Sequence, residues 1–196
     1  MAAKTMPVTD NPDANALLVS DPLALLIGML LDQQVPMEWA FLGPFTLRER
    51  LGGTLDAGAI AAMDPADLEE VFKAKPAMHR YPGSMAKRTH ALCQFVVDRY
   101  DGDAGKVWRN VRSGDELYRR VRELPGYGEE KAKIFVAILA KRLGRAPAGW
   151  EAAAAPFSDD QPRSVADISS PEALLRVRDF KKLMKAQGKP KTGSPD

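Results

Sequence analysis

At 196 residues, 45% hydrophobic and 28% charged, the chain has the composition of an ordinary soluble globular protein, with length enough for one domain or two small lobes sharing a core. The formal net charge of +2 is too small to announce a nucleic-acid partner by itself. Cys93 is the one cysteine, which excludes an internal disulfide and an iron–sulfur cluster ligated by this chain's own thiolates; His79 and His90 show no zinc-type spacing, so no side-chain metal site is expected.

In chain order, residues 1–20 read as a polar leader, its first fifteen residues having no fold of their own. They lack a basic-then-apolar signal pattern, and the longest apolar run, 23–31, is too short to span a bilayer, so no membrane is expected and the compartment expected is the cytoplasm. Asp21 and Pro22 are a helix start, a capping carboxylate followed by proline at the first helical position. The helix over 23–34 is nearly all apolar and reads as buried on most sides. Gln33 and Gln34 at its exit are unusual, because packing asks for neither, and Pro36 stops it. A second helix over 37–51 carries Trp39 and Phe41, with a kink or break predicted at Gly43–Pro44. Short helices follow over 56–63 and 64–72, the second opened by another Asp-Pro pair.

Residues 79–83 read as a turn, and Ser84 as the cap of a helix over 85–100, where Cys93 joins a broad apolar stripe as a small core residue. Val107 and Trp108 read as opening a short helix. Ser113 caps a helix over 115–123, and 129–143 forms another, with Ile134, Phe135, Ile138 and Leu139 inward. After Gly144 the pattern fails, and 145–164 reads as a loop or insertion with at most one helical turn in its alanine run. A last helix starts at Ser170 and Pro171 and runs to about 187, followed by a polar tail over 188–196. No strand-type alternation survives, so the fold expected is all-α.

Between the helices 115–123 and 129–143 sits the hairpin Leu124, Pro125, Gly126, Tyr127, Gly128. Its glycines permit positive φ and remove side chains where a backbone could approach. The amides of Gly126, Tyr127 and Gly128 are expected to point outward at a helix start, where the dipole favours an anion. Lys131 and Lys133 follow within a turn, so the natural anion is a nucleic-acid phosphate. Eight Lys/Arg against three Glu over 119–145, and seven against three acids over 171–196, concentrate the basic charge in this unit and the last helix. A plain corner between helices and a solvated basic face are the bland alternatives.

Taken together, three segments in order resemble the HhH-GPD superfamily of base-excision DNA glycosylases over about residues 20–185. They are the buried helix ending at Asp32, Gln33 and Gln34; the turn and helix start from Arg80 through Tyr81 to Lys87 and Arg88; and the hairpin from Leu124 to Phe135. The resemblance implies two helical lobes with a helix-hairpin-helix motif, over 115–143, between them. It implies duplex DNA as partner, and Gln34, with Gln33, entering the duplex beside a flipped base; nothing in the sequence suggests more than a monomer. A polar helix end bonded to a neighbouring loop is the alternative for the glutamine pair. The hairpin would hold a phosphate, and its carbonyls a monovalent cation, with no other cofactor. The reaction needs a carboxylate near the sugar. Asp167, in a Ser-Val-Ala-Asp-Ile context before a helix, is the first candidate if 145–164 is an insertion; Glu151 is nearer the family's usual interval, and a cap is the alternative role for Asp167. Members that also cut the backbone carry a lysine two residues after the second hairpin glycine. Here that residue is Glu130, so the resemblance implies a monofunctional glycosylase, or else a protein that binds DNA distortion without cutting. Trp39, Tyr81, Trp150 and Phe157 are available to stack on a base, or to fill the core.

Overall fold

The computed structural model describes residues 5–188, and among these the secondary structure is entirely helical. Helices α1 (Pro12–Ser20) and α2 (Pro22–Leu31) meet at a bend of 113°. Asp21 makes that corner: its amide donates to the Leu17 carbonyl, closing α1, while its carboxylate accepts from the amides of Leu23 and Ala24, opening α2. All of α2 from Leu23 to Leu31 is buried, packed against α1 and the helices over 37–50 and 82–100. Among the described residues no single helix is long and apolar enough to cross a membrane.

The expected leader is instead part of the core. Met6 and Val8 are fully buried, and α1 packs on α2 and α3. Asn15 holds the segment in place: its carbonyl accepts from the Met6 amide, its side-chain oxygen from the Thr9 amide, and its side-chain nitrogen donates to the Thr9 carbonyl. Two isolated apolar residues among prolines show no period, so the sequence carried no sign of this burial.

Helix α3 (Met37–Arg50) runs unbroken through Pro44. The break expected at Gly43–Pro44 is absent because both residues serve packing: a Cβ on Gly43 would lie 2.5 Å from Leu31 Cδ1. Helices α4 (Ala57–Ala62) and α5 (Pro65–Lys73), opened by the carboxylates of Asp56 and Asp64, pack on α6 (Pro82–Tyr100). Helix α6 starts three residues before the expected Met85. Pro82 takes the first helical position, so Tyr81 is the cap residue and Ser84 lies inside the first turn. A 3₁₀ turn, Ala104–Val107, ends where a helix was expected to open.

Helices α7 (Gly114–Arg122), capped by Ser113, and α8 (Glu129–Lys141) form the expected pair. The stretch expected to be a loop or insertion is folded: it carries α9 (Trp150–Ala154), which packs on α7 and α8 and buries Ala154 and Phe157. Gly114 allows this, since its amide donates to the Ala148 carbonyl at 2.8 Å and a Cβ there would strike the Gly149 carbonyl. A 3₁₀ turn, Val165–Asp167, leads to α10 (Pro171–Ala186), capped by Ser170. The expected polar tail lies, from residue 189 on, outside the described residues. Helices α1–α6 pack as one group and α7–α10 as another, and one continuous apolar core joins them.

Candidate nucleic-acid interface

The hairpin between α7 and α8 needs glycine at Gly126 for two reasons. Its φ is +84°, and a Cβ would lie 2.4 Å from Leu30 Cδ1 on α2. Gly128 differs. Its φ of −71° suits any residue, and among the described residues nothing stands within 4 Å of where its Cβ would be. The fold does not ask for glycine here, but a ligand approaching the backbone would.

Of the three amides expected to face outward, that of Tyr127 is spent on the Leu124 carbonyl at 3.1 Å. Those of Gly126 and Gly128 have no acceptor among the described residues, and the start of α8 has no side-chain cap. Tyr127 itself is a structural anchor. Its ring is 2% exposed and edge-on to Phe135, and its hydroxyl donates to the Leu26 carbonyl at 2.7 Å. Burial raises that phenol well above its usual range, so it stays a donor. Arg122 donates to the Tyr127 carbonyl at 2.6 Å.

Lys131, expected to face a phosphate, turns inward. Its ammonium donates to the carbonyls of Met29 and Leu30 at 2.6 and 3.0 Å and approaches that of Asp32 at 3.5 Å, closing the C-terminus of α2. Loss of solvent pushes its pKa down to about 8, with the Asp32 charge opposing the fall. Lys133 points outward, 2.8 Å from Glu129.

The glutamine pair divides. Gln33 bonds back to the Leu30 carbonyl and accepts from Arg88, so it shapes the turn. Gln34 stands exposed at φ +55° with no side-chain partner among the described residues. His79, which sequence reasoning missed as a support, holds this turn. Its buried Nε2 lies 3.1 Å from the carbonyls of both Leu31 and Gln33, while Nδ1 accepts from the Tyr81 amide, which places the ring proton on Nε2. Burial lowers its pKa and keeps the ring neutral. Trp39 and Tyr81 flank it, 38% and 43% exposed, whereas Phe157 lies in the core and Trp150 is half-buried against it.

Between the Gln34 turn and the start of α8 opens a cleft of about 900 Å³. Asp32 and Gln34 line it from the α2 exit, Glu38 from α3, Glu130 and Lys131 from α8, and Arg178, Lys181 and Lys182 from α10. Glu38 and Arg178 form an ion pair across it. Neither expected carboxylate is in this lining. Asp167 is 2.6 Å from the Lys141 ammonium, and its other oxygen accepts from the amides of Arg163 and Ser164 in a capping box. It thus caps the 3₁₀ turn rather than α10. Glu151 is exposed on α9.

No family model matches the chain, and no curated protein sequence matches it. Among solved structures there is a match to one described as a trapped endonuclease III–DNA covalent intermediate, an estranged-adenine complex. It is 21% identical with a TM-score of 0.42, and covers 80% of this chain and 65% of that one, so the chain spans just under two thirds of that protein's length.

Proposed function

We propose that this protein binds duplex DNA along the hairpin and cleft and hydrolyses the N-glycosidic bond of a damaged or mispaired base turned out of the stack. The observation that carries this reading is the pair of amides at Gly126 and Gly128 with no acceptor among the described residues, immediately before the first turn of α8, whose Glu130 and Lys131 line a cleft that Gln34 also lines. A phosphate on those amides fixes one strand. Gln34, held up by a turn that Gln33 and His79 brace, fills the space the base leaves. Arg178 and Lys182 in the cleft lining, and Lys133 further along α8, supply cations for the backbone.

The bond is cleaved without cutting the strand. The residue two positions after Gly128 is Glu130, and the amine of Lys131 is engaged with α2 carbonyls instead of being free to attack a sugar. The protein acts as a monomer in this reading.

The test is a panel of duplexes carrying uracil, hypoxanthine, oxidised guanine or alkylated adenine, treated with alkali to reveal abasic sites. Alkali-dependent cleavage of at least one duplex, with no adduct trapped by borohydride, is the expected result. Efficient trapping would overturn the monofunctional assignment. A second reading, recognition of distorted DNA without chemistry, draws on the engagement of Asp167 in its capping box; salt-sensitive binding with no product would select it.

A further inference from the structure

We infer that Glu130 is the carboxylate of this cleft that faces the reacting sugar and takes a proton from the attacking water; the inference rests on the reaction proposed above. Among the described residues three carboxylates line the cleft: Asp32, Glu38 and Glu130. Glu38 is paired with Arg178. Asp32 lies where its charge supports the Lys131 ammonium. Glu130 is exposed and has no hydrogen bond or ion pair among the described residues.

Its position is costly for binding alone. Gly128 and Glu130 are two residues apart, about 3 Å along the helix axis and about 200° around it, so a carboxylate stands within the same helical turn as a phosphate on the hairpin amides. A helix start favours an acid, but Glu129 already provides one, with its charge met by Lys133. A second, unmatched negative charge repels the DNA backbone. It gains a use when the opposing charge is positive, as on a sugar losing its base.

The step balances on one water. The bond from the sugar's anomeric carbon to the base nitrogen breaks, its electron pair leaving with the base. Water oxygen bonds to the anomeric carbon, and its proton passes to the Glu130 carboxylate, from which solvent carries it to the departing base. No oxidant, metal or covalent intermediate enters.

The experiment uses the full chain on whichever duplex of the panel yields abasic sites, comparing Glu130→Gln, Glu130→Asp and Glu151→Gln with the unaltered protein. Single-turnover excision and affinity for the duplex are measured together. Glu130→Gln should slow excision by roughly 100-fold or more and tighten duplex binding. Glu130→Asp should restore part of the rate, and Glu151→Gln should change nothing. An active unaltered protein whose excision survives Glu130→Gln within about threefold would overturn the assignment and leave the glycosylase reading standing. No product from the unaltered protein on any duplex would overturn the reading, and the assignment with it.

Discussion

The ammonium of Lys131, on the first turn of α8, lies 2.6 Å from the carbonyl of Met29, on the last turn of α2. The contact ties the second helical group to the end of the central helix, at the wall of the cleft. Its pKa of about 8 has a consequence for stability. An unfolded lysine titrates near 10.4, so between the two values the unfolded chain binds more protons and stability rises with pH. The desolvation penalty is fully present below about pH 8 and is relieved as pH climbs towards 10. Thermal unfolding of the protein and of Lys131→Met should therefore show the native protein gaining relative stability, by up to about 3 kcal/mol, over that window. A flat difference would mean that the amine is solvated.

The two hairpin glycines should separate folding from binding. Gly126→Ala meets both a positive φ and the Leu30 side chain, and should cost more than about 1 kcal/mol of stability. Gly128→Ala should leave stability within about 0.5 kcal/mol, yet weaken duplex affinity on the order of tenfold, near 1.4 kcal/mol. Melting curves beside a binding titration at fixed salt would check both, and unaltered affinity in Gly128→Ala would place the phosphate elsewhere.

Asp167→Asn should behave as a structural change. It removes the Lys141 ion pair and weakens the acceptor for two amides, at a cost of about 2 kcal/mol, or roughly 4–8 °C in melting temperature. Excision per folded molecule should be unchanged. A stable but inactive variant would return the chemistry to Asp167.

Gln34 holds a left-handed conformation that costs a side-chain-bearing residue about 1 kcal/mol. Gln34→Gly should then keep or raise stability while lowering affinity for a duplex with a flipped or missing base. Loss of both together would make Gln34 a structural residue of the turn.

How much of this was legible depends on how far each determinant lies from the residue it acts on. Asp21, Asp64, Ser113 and Ser170 cap helices through amides two or three residues away, and each helix start they mark was readable. The hairpin was readable for the same reason, since Gly126 answers a local turn. Lys131 was not. One position of helical phase decides whether its amine meets solvent or α2, and the carbonyls that attract it lie about a hundred residues earlier. Asp167 had the right neighbours for a catalytic residue, but Lys141, which engages it, is 26 residues away. The burial of Met6 and Val8 depends on Asn15 and the α2–α3 surface, which no pattern within residues 1–15 discloses.

The corner at Asp21 also bears on the order of folding. Its bonds span two to four residues, so the α1–α2 angle is set by contacts that close at little entropic expense and form early. The Lys131 contact spans 102 residues and completes only after both helical groups exist. Asp21→Ala should therefore slow refolding, and Lys131→Met should chiefly speed unfolding, a difference that stopped-flow kinetics on the two variants would resolve. The cleft would then be the last part of the molecule to assemble and the first to come apart under load.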